Sequence, residues 1–230
     1  MNNRFLFRSR LTHIRTVEDV IHQMTTLDEE LTHSALHNLK PFNLTYKIIT
    51  TGVKELFGTG YFQDDELMQA LDVRFADYFF SPLYAYVNGH PLPPAWKTLF
   101  DLCPHNSVFQ AIYMGMGVNA HVNNDLGQAL NDVIYSPNYL TDFLKVNTII
   151  RNKTHEVVSS LNEKGLIVNK VKNGALPIYS ALLQHTIEMW RTRAWNIFLK
   201  LQTRIISVQE IEKQAQQTAL ILTRIPKITV

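Results

Sequence analysis

Apolar residues recur every three or four positions along most of this sequence, and that spacing constrains the fold more than any other feature. After Thr16 the apolar residues at helical spacing are Val17, Val20, Ile21, Met24, Leu27 and Leu31. Thr16 with Asp19, and Ser207 with Glu210, have the three-residue spacing of a capping box, which starts a helix. The pattern predicts an all-α fold.

Prolines and glycines divide this pattern into about seven or eight predicted helices. They cover residues 17–31, 43–57, 64–82, 96–103, 107–130, 139–163, 176–204 and 207–224. Pro41 is expected to end the first segment and Pro82 to lie at or near the end of the third. The segments 166–171 and 228–230 are β-branched and have the composition of short strands, but neither has an evident partner.

No linker rich in glycine, serine or charge interrupts the chain, so we expect a single-domain multi-helix bundle over residues 1–230. Arg4, Arg8, Arg10 and Arg15 make residues 1–15 a basic N-terminal arm, typical of a solvated segment. The formal net charge of the whole chain is only +2, which does not favour a nucleic acid or an anionic membrane as partner.

Cysteine content and hydropathy indicate a cytoplasmic protein. Cys103 is the only cysteine, so no intrachain disulfide can form, which fits a reducing compartment. No window of 18 residues is wholly apolar, and the N-terminus lacks the apolar core of a signal peptide, so no membrane span is expected. The oligomeric state is not indicated.

Three ionisable residues fall on helix faces that the surrounding pattern marks as buried. With 100° of rotation per residue, Asp125 lies within the apolar arc of the helix at 107–130, and His121 lies one turn earlier at the edge of that arc. Asp72 lies in the middle of an apolar face in the helix that starts near residue 64. A buried unpaired carboxylate is costly, so each aspartate needs a partner.

Several polar residues in apolar surroundings are candidates to line a site with these three. The candidate binding residues are Tyr46, Tyr78, Asn119, Asn147 and Arg193. Arg191 and Arg193 flank the apolar face of the helix at 176–204 and are candidate partners for the aspartates. These residues together predict a polar cavity inside the helical bundle.

Three interpretations of Asp72, His121 and Asp125 stay open. They are candidate ligands for a divalent metal, because zinc, manganese and iron accept nitrogen and oxygen ligands. They are equally candidates for metal-free general acid and base. His121 and Asp125 are also a candidate hydrogen-bonded pair that braces two helices.

The segment from Met116 to Leu126, followed by Ala129 and Leu130, resembles the signature G-x-N-A-H-I-N-x-D-L-x-x-A-L. That signature is typical of a bacterial, all-helical family catalogued as a domain of unknown function, number 5995. Shorter matches at 71–79, 94–96, 142–147 and 193–195 extend the resemblance over roughly residues 42–200. Val122 replaces the usual isoleucine. The resemblance implies a helical fold and supplies no established activity.

The sequence therefore leaves three functions in competition, the third being a partner-binding scaffold that uses the basic N-terminal arm. The first is an enzyme that acts on a small, largely apolar molecule between helices, by hydrolysis or by cyclisation or isomerisation, with Asp72, His121 and Asp125 as catalytic residues. The alternative is a non-catalytic ligand-binding or accessory protein whose buried polar cluster is structural.

Overall fold

The computed structural model describes residues 14–166 and 176–225, and 78% of these residues are helical, with no strand among them. The helices are α1 (Val17–Leu31), α2 (Lys40–Lys54), α3 (Asp65–Val87), α4 (Pro94–Leu102), α5 (in three continuous parts, Gln110–Val118, Asn119–Asp125 and Leu126–Val133), α6 (Leu140–Glu163), α7 (Leu176–Gln202) and α8 (Val208–Leu222). The predicted all-α bundle of about seven or eight helices is confirmed. The two strand candidates and residues 1–13 of the basic arm lie largely or wholly outside the described residues.

Both predicted capping boxes form, and an aspartate caps a third helix. Thr16 and Ser207 each accept a hydrogen bond from the backbone three residues later, and Asp19 and Glu210 return the bond, so both capping boxes are complete. Asp64 caps α3 by accepting from the backbone N–H of Leu67.

Two prolines behave differently from the prediction. Pro41 lies in the first turn of α2 instead of ending a helix, because the first turn needs no hydrogen bond from that nitrogen. Pro82 lies inside α3, which continues to Val87. Packing keeps the helix intact beyond Pro82, since Leu83 is fully buried and the Tyr86 hydroxyl donates to the Phe100 carbonyl.

The long helix α5 widens into a π-helical segment over Asn119–Asp125. All seven residues of this segment are buried, because α3, α4, α7 and α8 pack around it. A π-helix turns by less than the 100° per residue of an α-helix, so the predicted apolar arc of this helix does not extend through the segment. His121 and Asp125 are therefore not two polar exceptions on one apolar face, because every face of the segment is buried. Such π segments are rare and are often found at functional sites.

A large hydrophobic core extends through the described part of the bundle, and a smaller apolar cluster lies between α2 and α6. Helix α2 packs on α1 and α6, α7 packs on α6 and on the last part of α5, and α4 packs on α8. Helices α3, α4, α7 and α8 thereby surround the middle of α5, and α2 packs on its first part. None of the described helices combines the length and apolar character needed to cross a bilayer.

Gly117 lies two residues before the π segment and permits a close approach by α2. A Cβ atom at this position would lie 2.5 Å from Cγ of Phe42, whereas a Cβ at Gly115 would meet nothing within 4 Å. We expect Gly117→Ala to lower the free energy of unfolding by about 1–3 kcal/mol through overpacking. Gly115→Ala, the matched control, is expected to raise it by about 0.5–1 kcal/mol. Urea denaturation measures both, and equal effects would contradict the close packing of Phe42.

Candidate functional site

A partly enclosed cavity of about 80 Å³ lies between α2, α3, α5, α6 and α7, which is room for several water molecules or a small organic ligand. Its wall is mostly apolar. The polar residues that line it are Thr45, Tyr46, Thr50, Asp72, His121 and Arg191. Asp72 and His121, which the sequence placed on two different helices, therefore meet at one cavity.

His121 is held in the cavity wall by Asp125, which lies behind it. The Asp125 Oδ2 atom is 3.2 Å from His121 Nδ1 and also accepts a hydrogen bond of 2.9 Å from Nε1 of Trp96. The Oδ1 atom of Asp125 accepts from Nδ2 of Asn124. The Phe75 ring stacks on the imidazole with 3.6 Å between centroids, so packing and hydrogen bonding both fix the orientation of His121.

The His121–Asp125 pair favours zero net charge. Burial raises the pKa of Asp125 well above its usual range, against the hydrogen bonds from Asn124 and Trp96, which lower it. Burial also lowers the pKa of His121 well below its usual range. With one proton shared between Oδ2 and Nδ1, the second proton of the neutral pair lies on Nε2 of His121. Nε2 is buried without a hydrogen-bond partner among the described residues, and the imidazole lines the cavity.

Asp72 provides a second unsatisfied polar group on the same cavity. The residue as a whole keeps some accessible surface, but its Oδ2 atom is buried and has no hydrogen-bond partner in the described part of the chain. Burial raises the pKa of the Asp72 carboxyl to about 7. The carboxyl therefore changes its protonation state near neutral pH, where a general base or acid is most effective.

Tyr46 adds a hydroxyl beside His121, with 4.5 Å between the two ring centroids. Burial, and next the negative charge of Asp72, raise the pKa of Tyr46 well above its usual range, although proximity to the Thr50 hydroxyl lowers it. Neither the Tyr46 hydroxyl nor the Thr50 hydroxyl makes a hydrogen bond of regular geometry to a described residue. The Tyr46 phenol therefore stays protonated and can donate a hydrogen bond to a ligand.

Arg191 carries the positive charge of the cavity wall. Its Nε donates to Oδ1 of Asn147 and its Nη2 donates to the Phe143 carbonyl, each at 2.7 Å. Burial lowers the pKa of Arg191 to about 9, so the guanidinium remains charged at neutral pH.

Four of the predicted binding residues lie outside the cavity wall. Asn119 donates to the Ala215 carbonyl and accepts from Asn123, which joins α5 to α8. Tyr78 donates to Asp132, Arg193 donates to Gln214, and Asn147 reaches the cavity only through Arg191. Of the five, Tyr46 alone lines the cavity.

The predicted metal ligands Asp72, His121 and Asp125 do not form a three-ligand set. Over residues 14–166 and 176–225, no three His, Cys, Asp or Glu side chains come together in a group that could hold a metal ion. The Asp125 oxygens are directed to Trp96, His121 and Asn124. The geometry therefore does not fit a zinc, manganese or iron site built on this trio.

The fold and the site together define an all-helical protein with an apolar cavity bordered by an Asp–His pair and a separate aspartate. The model of the Family of unknown function (DUF5995) matches residues 17–225, and the chain belongs to this family. No curated protein and no solved structure matches the chain.

Two residues shape the site in ways that the sequence did not predict: Trp96 binds Asp125, and Arg191, a candidate partner for the aspartates, binds Asn147 and the Phe143 carbonyl instead. Trp96 lies in the predicted helix at 96–103 and in the short family match at 94–96 with no role assigned to it, yet its indole N–H donates to Asp125. Arg191 was grouped with Arg193, but the series Ile187, Arg191, Ala194 and Phe198 has helical spacing and puts Arg191 on the buried face. That spacing was the available signal for Arg191, whereas no local signal pairs Trp96 with a residue 29 positions away.

Proposed function

We propose that this protein is an enzyme that moves protons on a small, largely apolar molecule bound in the cavity. The observation that carries the proposal is that two ionisable groups on one apolar wall, Asp72 Oδ2 and His121 Nε2, are buried without a hydrogen-bond partner among the described residues. Buried polar groups without partners destabilise a fold, and functional sites are where such costs are commonly retained.

The two groups are suited to opposite roles in one reaction. Ionised Asp72 takes a proton from a carbon next to a carbonyl group, while His121 Nε2–H donates to the carbonyl oxygen, which gives an enol. Return of the proton to a different carbon completes an isomerisation. For a cyclisation, the enol carbon attacks a second carbonyl carbon of the same molecule; the C=O π bond opens, its oxygen takes the proton held by Asp72, and the enol proton returns to His121 Nε2. Asp125 acts through His121 as a positioning residue, because it fixes which nitrogen carries the hydrogen.

A proton-exchange experiment tests this proposal before the natural substrate is identified. Small apolar ketones and aldehydes are incubated with the protein in D2O, and proton NMR follows deuterium uptake next to the carbonyl. We expect Asp72→Asn to reduce the catalysed exchange about 100-fold or more, and His121→Gln to reduce it by a similar factor. Catalysis by the wild type is expected to rise with pH through about 7, as Asp72 ionises.

Asp77→Asn is the matched control, since Asp77 lies on the same helix but pairs with Arg74 on the surface. It is expected to retain the exchange activity. Exchange no faster than in buffer, or unchanged by Asp72→Asn, would contradict the proposal.

The second candidate is a non-catalytic ligand-binding or accessory protein whose polar cluster is structural. The contacts of Asp125 favour it, because one carboxyl ties Trp96 of α4 to His121 and Asn124 of the π segment. Under this alternative a ligand binds in the cavity with no proton exchange, and Asp125 matters for stability alone.

A further inference from the structure

Arg191 is a buried cation without a counter-ion among the described residues. It is only 7% exposed, and its two hydrogen bonds go to neutral acceptors, the amide of Asn147 and the carbonyl of Phe143. Of the carboxylates, Glu188 is the one whose charge raises the pKa of Arg191, and Glu188 binds Arg151 and Gln184 instead. A buried charge is normally paired, so this arrangement is incomplete without an anion.

The guanidinium is also held ready to bind. The Phe143 ring lies 4.2 Å from Cζ of Arg191, and the bonds from Nε and Nη2 fix the guanidinium plane. The Nη1 group makes no hydrogen bond to a described residue, and the side chain lines the same cavity as Asp72 and His121. A fixed guanidinium is well suited to a planar oxyanion.

We propose that the ligand of the cavity is a small monocarboxylic acid with an apolar body, whose carboxylate binds Arg191 while its carbon chain lies against Asp72 and His121. This inference rests on the proposed function only in taking the cavity as the ligand site. A single negative charge matches the single guanidinium. A phosphate dianion would bring a second charge into an apolar cavity that already holds the Asp72 carboxylate.

Matched probes test the inference without knowledge of the natural ligand. Benzoate is compared with benzamide, and isovalerate with isovaleramide, by calorimetric titration of the wild type at a pH of about 7.5. In each pair the two molecules have nearly the same shape and differ in charge. We expect at least one acid to bind about tenfold or more tightly than its amide. Equal binding within both pairs, or no binding of either acid, would overturn the inference.

Substitutions of two arginines test whether Arg191 causes the tighter binding of the acid over its amide. Arg191→Met is expected to remove the preference for the acid, whereas Arg193→Met, which removes the same charge from the outer side of α7, is expected to retain it. If Arg191→Met fails to fold by circular dichroism, Arg191→Lys is used, and it is expected to weaken acid binding while leaving amide binding unchanged. A preference that survives the loss of the Arg191 guanidinium would overturn the inference.

Asp72→Asn separates this inference from the proposed function. That variant is expected to lose proton exchange but to bind the acid at least as tightly, because a negative charge leaves the cavity. Acid preference without any catalysed exchange would reject the proposed function alone. Exchange without acid preference would reject the inference about the ligand alone.

Discussion

Replacing Asp72 with asparagine is expected to raise the free energy of unfolding at about pH 8 by up to about 4 kcal/mol, and by much less near pH 4. Burial raises the pKa of Asp72 from 3.8 to about 7, so the folded chain holds this proton more tightly than the unfolded chain does. Wild-type stability therefore falls as the pH rises from about 4 to about 7. Asparagine cannot ionise, and the variant escapes this loss.

The 4 kcal/mol is an upper limit, because part of Asp72 is accessible and solvent screens its charge. Chemical denaturation of the wild type and of Asp72→Asn across the pH range measures the difference in their free energies of unfolding. The contributions of all other titrating groups cancel in this difference. Asp77→Asn is the control. It loses a surface ion pair with Arg74, so a small destabilisation of about 1 kcal/mol or less is expected. A difference between wild type and Asp72→Asn that does not grow with pH would show that Asp72 is not a buried charge.

Asp125→Ala is expected to lower the free energy of unfolding by about 3–5 kcal/mol, the usual effect of removing one partner from a buried polar pair. The change leaves Nε1 of Trp96 and Nδ2 of Asn124 without their acceptor and Nδ1 of His121 without its hydrogen-bond partner, all in the buried interior. Thermal and urea unfolding followed by circular dichroism measure the loss. A loss below about 1 kcal/mol would contradict the importance of these hydrogen bonds.

Asp125→Asn is expected to cost only about 1 kcal/mol. Its amide oxygen can accept from Trp96 and His121, and its amide nitrogen can donate to Oδ1 of Asn124, which has no other partner among the described residues. This amide nitrogen takes the place of the Asp125 Oδ1 atom, which accepts from Asn124. The Asn124 side chain therefore has to rotate so that its oxygen faces the new donor. Because the amide oxygen can only accept, His121 must then carry its hydrogen on Nδ1, and Nε2 loses the hydrogen that it would donate to a substrate.

The two Asp125 variants therefore distinguish the catalytic from the structural role of the pair. If His121 donates from Nε2, proton exchange falls in Asp125→Asn while stability is largely retained. Unchanged exchange in Asp125→Asn would mean that Asp125 only braces the helices. Melting curves with and without a chelator complete the test: destabilisation by chelator in the wild type alone would restore the metal hypothesis.

Local sequence signals predicted the helices well, because caps and apolar spacing act over one or two turns. Thr16, Asp64 and Ser207 start helices as expected, since each cap is satisfied by a backbone N–H only three residues away. Pro41 and Pro82 were misinterpreted because the effect of a proline depends on its position in the helix and on the packing around it.

The candidate site was predicted in part. The successful predictions came from ionisable residues that lie on otherwise apolar helix faces. Asp72 and His121 were identified because polar residues on an apolar face need a reason to be there, and both line the cavity. The five predicted binding residues were chosen by the same criterion, yet only Tyr46 lines the cavity. A side chain on an apolar face can be satisfied by any neighbour, as Asn119 is by the Ala215 carbonyl.

The sequence by itself determined that this chain is helical, where most of its helices begin, and that Asp72, His121 and Asp125 lie on helix faces that pack inward. Tertiary structure decided what those charges face. Packing of four helices around Asn119–Asp125 buries all seven residues of this π segment of α5. Contacts between residues far apart in the chain placed Trp96 on Asp125 and Asn147 on Arg191. The physical reason is range: caps and apolar periods act within a few residues, whereas a cavity forms only where separate helices meet.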